Sequence, residues 1–71
     1  MNRARVSSSS LASIGYDPDN KILEVEFRHA GIYQYFDVPE RVYRDLMAAS
    51  SHGRYFEVYV KKVGYRFRKI K

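Results

Sequence analysis

Alternation of apolar and polar residues predicts three strands in the first half of the chain. In the clearest of them Leu23, Val25 and Phe27 alternate with charged side chains, which is the period of a strand with one buried face. Shorter stretches of apolar residues precede and follow this segment. The predicted strands are residues 11–16, 21–29 and 32–38.

Two short turn segments separate the strands, so the three strands form an antiparallel meander. Residues 17–20 read Asp-Pro-Asp-Asn, a typical turn composition, and at residues 30–31 a glycine supplies the positive φ of a tight hairpin. With these turn lengths Tyr33 and Tyr35 point away from the apolar face. A three-residue hairpin loop would instead shift the register and turn both rings into the core.

The pattern changes to a helical period after Pro39. Val42, Leu46 and Ala49 follow one another at intervals of four and three residues, which predicts a helix over residues 39–50 with one apolar face. Proline is favourable at the start of a helix, where its missing N–H removes no hydrogen bond.

Residues 53–62 fit two periods. As a strand, Phe56, Val58 and Val60 alternate with polar residues, and intrinsic propensity favours that reading. As a helix, Phe56, Val60 and Val63 share one face, and Ser51 is a suitable N-cap. A short strand over residues 65–70 follows. The predicted fold class is α+β: a three-stranded antiparallel meander packed by one or two short helices, with a short basic strand at the C-terminus.

The N-terminal residues show no periodicity. Residues 1–9 carry two arginines and a run of serines, which predicts a flexible arm. Residues 10–71 are then one domain, since 71 residues suffice for only one.

The positive charge is concentrated at the C-terminal end of the chain. The net charge is +5; residues 1–53 hold six Lys and Arg against seven Asp and Glu, whereas residues 54–71 hold seven against one. Such asymmetry is typical of proteins that bind polyanions. Aromatic residues lie among these charges, which favours nucleic acid as the partner.

The sequence lacks the residue sets that enzymes and metal sites require. It has no cysteine, only two histidines and no glycine-rich phosphate loop, so we expect neither a metal site, a cofactor nor catalysis. A chain this short leaves little room for an enclosed ligand pocket. Neither a secretory signal nor a membrane-spanning run is apparent. We therefore expect a cytoplasmic, non-enzymatic binding module with no membrane partner.

Several short motifs follow one another in a fixed order along the chain. The central one is the Tyr-x-Tyr of Tyr33 and Tyr35, and the others are residues 14–17, 23–27 and 38–39, followed by Ala49, Ser51, Gly53, Tyr55 and Phe56. This series resembles the KTSC domain, a small domain found at the C-terminus of some lysyl-tRNA synthetases and as stand-alone bacterial or phage proteins, with Tyr-x-Tyr as its hallmark. The resemblance extends from about Ser8 to Ile70.

The resemblance implies a helix for residues 53–62, and it implies RNA binding through the association with tRNA synthetases. Two positions depart from the family pattern. Glu57 stands where the family usually has Asn, and Tyr65-Arg66-Phe67 replaces a second tyrosine-rich motif. If that Asn or the lost tyrosine has a role in the family, this chain is expected to lack it.

The leading hypothesis from sequence is a module that binds RNA, either tRNA or a single strand, through an exposed tyrosine face and basic side chains. Tyr33 and Tyr35 would stack on bases. The alternative is a protein-interaction module or phage accessory protein that uses the same tyrosine-rich surface. The predicted nucleic-acid contacts are Tyr33, Tyr35, Arg28, Arg54, Lys61, Lys62, Arg66, Arg68 and Lys69.

Overall fold

The computed structural model describes residues 1–71 and shows a five-stranded antiparallel sheet with two helices on one face. The strands are neighbours in chain order. They are β1 (Arg3–Arg5), β2 (Leu11–Asp17), β3 (Ile22–Phe27), β4 (Gly31–Tyr35) and β5 (Phe67–Lys69). The helices are α1 (Glu40–Ala48) and α2 (His52–Phe56), and α2 continues directly into a π-helical segment, Glu57–Lys61. The predicted α+β class is confirmed, but the meander has five strands rather than three.

The N-terminal residues are part of the sheet. β1 pairs with β2 so that Arg3 lies opposite Gly15, and a Cβ at Gly15 would come within 2.5 Å of the carbonyl oxygen of Asn2. The guanidinium of Arg3 pairs with the buried carboxylate of Glu24 on β3. The prediction of a flexible arm over residues 1–9 was therefore wrong. The prediction failed because the partners that hold β1 are distant in sequence, and composition does not reveal such partners.

The hairpin between β3 and β4 has a three-residue loop, residues 28–30, because Phe27 pairs with Gly31. Val25 therefore lies opposite Tyr33, and Leu23 opposite Tyr35. The two-residue turn at 30–31 was wrong, and the alternative register is the one found. An odd shift in register exchanges the two faces of a strand, so both tyrosines lie on the apolar face.

The second helix follows the helical pattern of its apolar residues. Phe56 and Val60, four residues apart, are both buried in the core. The side chain of Ser51 accepts a hydrogen bond from the backbone N–H of Arg54 at 3.3 Å and caps the helix. The helix inferred from the family resemblance for residues 53–62 is thus confirmed over the strand that propensity favoured. The helix over residues 39–50 is also confirmed, as α1.

The core lies between the sheet and the helices. Its fully buried members come from every layer: Leu23 and Val25 on β3, Leu46 on α1 and Val60 on the second helix. The opposite face of the sheet carries a polar row instead. There the carboxylate of Glu24 accepts hydrogen bonds from Arg3 and, at 2.9 Å, from the amide of Gln34. The two faces of the sheet therefore differ sharply in chemistry.

Candidate ligand-binding groove

An open groove of about 590 Å³ lies between the sheet and the second helix. It extends from the β3–β4 hairpin to the edge strand β5. The length of the chain predicts too little room for an enclosed pocket. This groove is not enclosed: it is open to solvent, with the sheet on one side and the second helix on the other. We call it the aromatic groove. Its lining residues are Ser10, Leu11, Phe27, Ala30, Tyr33, Tyr35, Gly53, Phe56, Glu57, Val60, Lys61, Gly64, Tyr65 and Phe67.

Six aromatic side chains line the groove, and five of their rings contact one another. Phe56 meets Phe27 and Tyr35 edge to face, with centroids 5.2 and 5.4 Å apart. Tyr33 and Phe67 lie next in the series, 6.0 Å apart. Edge-to-face and offset contacts are the preferred arrangements of such rings. The result is a wall of ring faces and edges suited to a flat, apolar or aromatic group.

The two tyrosines differ in burial but share one feature. Tyr35 is 7% exposed and Tyr33 is half-buried. Neither hydroxyl has a hydrogen-bond partner in the protein, and neither is fully buried. Burial, with a smaller contribution from Tyr33, raises the pKa of Tyr35 to about 12. Tyr35 therefore stays neutral at ordinary pH, and its O–H can donate a hydrogen bond to a ligand in the groove.

The predicted surface platform was therefore wrong in its geometry. Tyr33 and Tyr35 do not stand on the solvent side of the sheet with Glu24 and Glu26, because the odd register shift places them on the helix side. Asp37 lies two residues after Tyr35, so in a continued strand the same shift would bury its carboxylate with the two rings. It escapes burial because the strand ends at Tyr35 and the backbone of Asp37 adopts a positive φ of 59°.

One of the predicted basic residues lines the aromatic groove, and a second starts from the same face of the sheet. Lys61 lines the groove from the π-helical segment. Lys69 on β5 lies opposite Tyr33 in register, so its side chain starts from the same face of the sheet. Lys61 also lies 3.8 Å from the carboxylate of Glu57, in an exposed pair that contributes little to stability. Both lysines are exposed, and only Lys61 is among the residues that line the groove.

Two arginines from the predicted set are engaged elsewhere. Arg28 donates through Nε to the carbonyl of Ser8 at 2.7 Å and ties the β3–β4 hairpin to the N-terminal segment. The guanidinium of Arg66 lies 5.3 Å from the ring centre of Phe36 and 3.9 Å from the carboxylate of Asp37. Neither arginine lines the groove.

The remaining predicted residues point in three different directions. Arg68 lies opposite Gln34 and shares the open polar face of the sheet. Arg54 lines a separate hollow beside the groove. Lys62 is exposed at the end of the second helix. The structure therefore divides the basic set over several surfaces rather than gathering it around the tyrosines.

Three phenylalanines complete the groove and were not predicted as site residues: Phe27, Phe56 and Phe67. Phe27 and Phe56 had been assigned to the core by their periodicity. Phe67 is 59% exposed, and an exposed aromatic residue on a short edge strand was the one available signal. The groove itself depends on how the second helix packs on the sheet, which no local pattern indicates.

Neither a metal cluster nor a membrane helix is present. Nowhere in residues 1–71 do three His, Asp or Glu side chains come together in a way that would hold a metal ion. The helices are too short and too polar for any of them to cross a bilayer.

Comparison with known proteins gives one consistent family. The family model of the KTSC domain matches residues 7–65. An uncharacterized protein of Stutzerimonas stutzeri is 46% identical over 70 residues, covering 99% of both chains. The crystal structure of a KTSC domain protein from Yersinia pestis is 50% identical and superposes with a TM-score of 0.95, covering 99% of this chain and 97% of the other.

A second kind of relative is much longer than this chain. A lysine–tRNA ligase of a Nostoc species is 38% identical over 53 residues, which are 75% of this chain but only 9% of the ligase. A lysine–tRNA ligase of Nostoc punctiforme matches over the same length at 34% identity. The shared part is therefore a small portion of each ligase.

Proposed function

The chain belongs to the KTSC domain family, and from that premise and the geometry of the groove we propose that it is a non-enzymatic module that binds single-stranded RNA. The aromatic groove would take an unstacked base between Tyr33, Phe67 and the second helix. Recognition of single strands commonly relies on aromatic side chains that stack on bases. The single observation that carries the proposal is a solvent-open groove lined by six aromatic side chains and by Lys61.

Charge complementarity favours RNA over an apolar peptide as the occupant. The chain carries a net charge of +5, with seven of its basic residues in the last eighteen positions. Lys61 lines the groove and the side chain of Lys69 starts from the same face of the sheet, so both would contact phosphates near a bound base. Contacts between lysines and phosphates supply most of the sequence-independent affinity for nucleic acids.

The relatives add a second, independent reason to choose RNA. Two of them are named lysine–tRNA ligases, and the portion they share with this chain is 53 residues long. A domain attached to an enzyme that acts on tRNA is well placed to contact RNA.

The test is a binding titration with single-stranded RNA, tRNA and duplex DNA at several salt concentrations. Phe67→Ala should weaken RNA binding by about 1–3 kcal/mol, the range for loss of one stacked base. Phe67 is 59% exposed, so the variant should remain folded. Tyr59→Ala is the matched control, because Tyr59 is an aromatic residue of similar exposure, 52%, outside the groove.

Three results would decide against the proposal. Equal losses in the two variants would show that binding does not use the groove. Binding to duplex DNA as tight as binding to single strands would argue against an unstacked base. No RNA binding at all, with capture of an apolar peptide that Phe67→Ala abolishes, would favour the protein-interaction alternative.

A further inference from the structure

A second, entirely polar hollow of about 330 Å³ adjoins the aromatic groove. No hydrophobic side chain lines it, and no acidic residue is among its walls. We call it the serine hollow. Its lining residues are Ser7, Ser8, Ser9, Ser10, Ser50, Ser51, His52, Gly53 and Arg54.

The two cavities share a border. Ser10 and Gly53 line both of them. The segments carrying these residues are in close contact, since a Cβ at Gly53 would lie 2.6 Å from the Oγ of Ser10. A single ligand can therefore occupy both cavities if one part is flat and apolar and the neighbouring part is polar.

The hydrogen-bonding groups of the serine hollow are suited to an anion. The Oγ of Ser8 accepts from the backbone N–H groups of Ser10 and Leu11, and the Oγ of Ser51 accepts from that of Arg54. None of the serine hydroxyls in the hollow donates to the protein, so their O–H groups are available to an external acceptor.

The charge in the hollow is also uncompensated. Arg54 is exposed, and its guanidinium forms no ion pair within the protein. A guanidinium presents several N–H donors in a planar fork that matches phosphate geometry. Serine hydroxyls and one free arginine, without any carboxylate, are the donors that a phosphate group requires.

We propose that the aromatic groove and the serine hollow together bind one nucleotide, with the base among the rings and the phosphate at Arg54 and the serine hydroxyls. The inference rests on the proposed RNA-binding function and makes it specific, since it names the nucleotide unit and the direction in which its phosphate lies. A nucleotide has a flat base and an anionic phosphate close to each other in one molecule. The flat base matches the aromatic groove, and the phosphate matches the polar serine hollow beside it.

The test compares adenosine with adenosine 5′-monophosphate and adenosine 3′-monophosphate in chemical-shift titrations. One of the two monophosphates should bind about ten-fold more tightly than adenosine, the gain expected from hydrogen bonds to a charged group. The additional shifts should appear at the amides of Ser8, Ser10 and Ser51. The preferred isomer identifies on which side of the sugar the phosphate lies.

Arg54→Gln should remove this gain and leave the affinity for adenosine unchanged. The cap of the second helix uses the backbone N–H of residue 54, so the variant keeps it. Lys62→Gln is the matched control, because Lys62 is an exposed basic residue that lines neither cavity.

The possible failures are distinguishable. If adenosine binds in the groove but neither phosphate adds affinity, the nucleotide site is overturned and the groove is retained. If Arg54→Gln and Lys62→Gln reduce the gain equally, the attraction is diffuse and the serine hollow is not a site. If none of the three probes binds, the nucleotide site fails, and if single-stranded RNA does not bind either, the proposed function fails with it.

Discussion

Tyr35 and Phe56 meet edge to face, with ring centroids 5.4 Å apart and planes inclined at 72°. One ring comes from the strand β4 and the other from α2, so the contact joins the sheet to the second helix beneath the aromatic groove. Both rings are nearly buried, at 7% and 5% exposure. Tyr35 therefore supports the fold and forms part of the groove at the same time.

Two replacements of Tyr35 should distinguish the contribution of its ring to stability from the contribution of its hydroxyl. Tyr35→Ala should lower the free energy of unfolding by about 3 kcal/mol or more, because it empties a buried aromatic site. Tyr35→Phe should change stability little at neutral pH, since the hydroxyl has no partner in the protein. Urea unfolding followed by circular dichroism measures both. Equal stability of the Ala and Phe variants would contradict the packing described here.

The pKa of Tyr35 predicts how stability depends on alkaline pH. In the unfolded chain the phenol has its ordinary pKa of 10.0, and in the fold burial raises the pKa to about 12. The folded state favours the neutral form, so this contribution is fully present below pH 10 and is lost as the pH rises towards 12. The melting temperature should fall over that interval. The fall should be smaller in Tyr35→Phe, and equal falls would show that other groups cause it.

Leu46 is the one fully buried residue of α1. Leu46→Ala should cost about 2–4 kcal/mol, the range for a truncated leucine in a packed core. That is a large part of the stability of a domain this small. Ala48→Ser on the exposed side of the same helix is a control that should shift stability by no more than about 0.5 kcal/mol. A loss below about 1 kcal/mol for Leu46→Ala would mean that α1 does not pack on the sheet as described.

Arg3 should anchor the first strand. Its guanidinium pairs with Glu24, which is 4% exposed, and its Nε donates to the Oγ of Ser13 at 2.8 Å. Arg3→Ala should lower stability by about 1–3 kcal/mol, because a buried carboxylate loses its cationic partner. Arg5→Ala, on the same strand but exposed and without an ion pair, should stay within about 0.5 kcal/mol. If the two variants are equally stable, β1 is not anchored by Arg3.

Adjacent residues of β5 should differ in their effect on RNA binding. Lys69 lies on the face of the groove and Arg68 on the opposite, polar face. Lys69→Gln should weaken binding and reduce the slope of log affinity against log salt by about 0.7, the value for one phosphate contact on a single strand. Arg68→Gln should leave both nearly unchanged. Simultaneous replacement of Arg66, Arg68, Lys69 and Lys71 by Gln should leave the fold intact, and an unchanged salt slope in that variant would exclude phosphate contacts by β5.

Local sequence patterns were sufficient to predict the helices and the central strands, but they were insufficient to predict how the strands pair. The alternation around Val25 predicts β3, and the spacing of Val42 and Leu46 predicts α1, because burial of one face acts on residues close in sequence. The family resemblance, rather than propensity, identified the second helix. The candidate residues Tyr33, Tyr35 and Lys61 were named from sequence, but their common location in a groove was not.

The amino-acid sequence by itself determined the α+β class, the order of the central strands and helices, and the basic C-terminal end, since these depend on short-range periodicity and composition. The tertiary structure alone decided which face the tyrosines occupy. Strand side chains alternate with a period of two, so a loop closing at residues 28–30 instead of 30–31 reverses the faces. The tertiary structure also decided the position of β1, whose Arg3 pairs with Glu24, 21 residues away, and it decided the two adjoining cavities. Their walls come from segments that only long-range packing brings together.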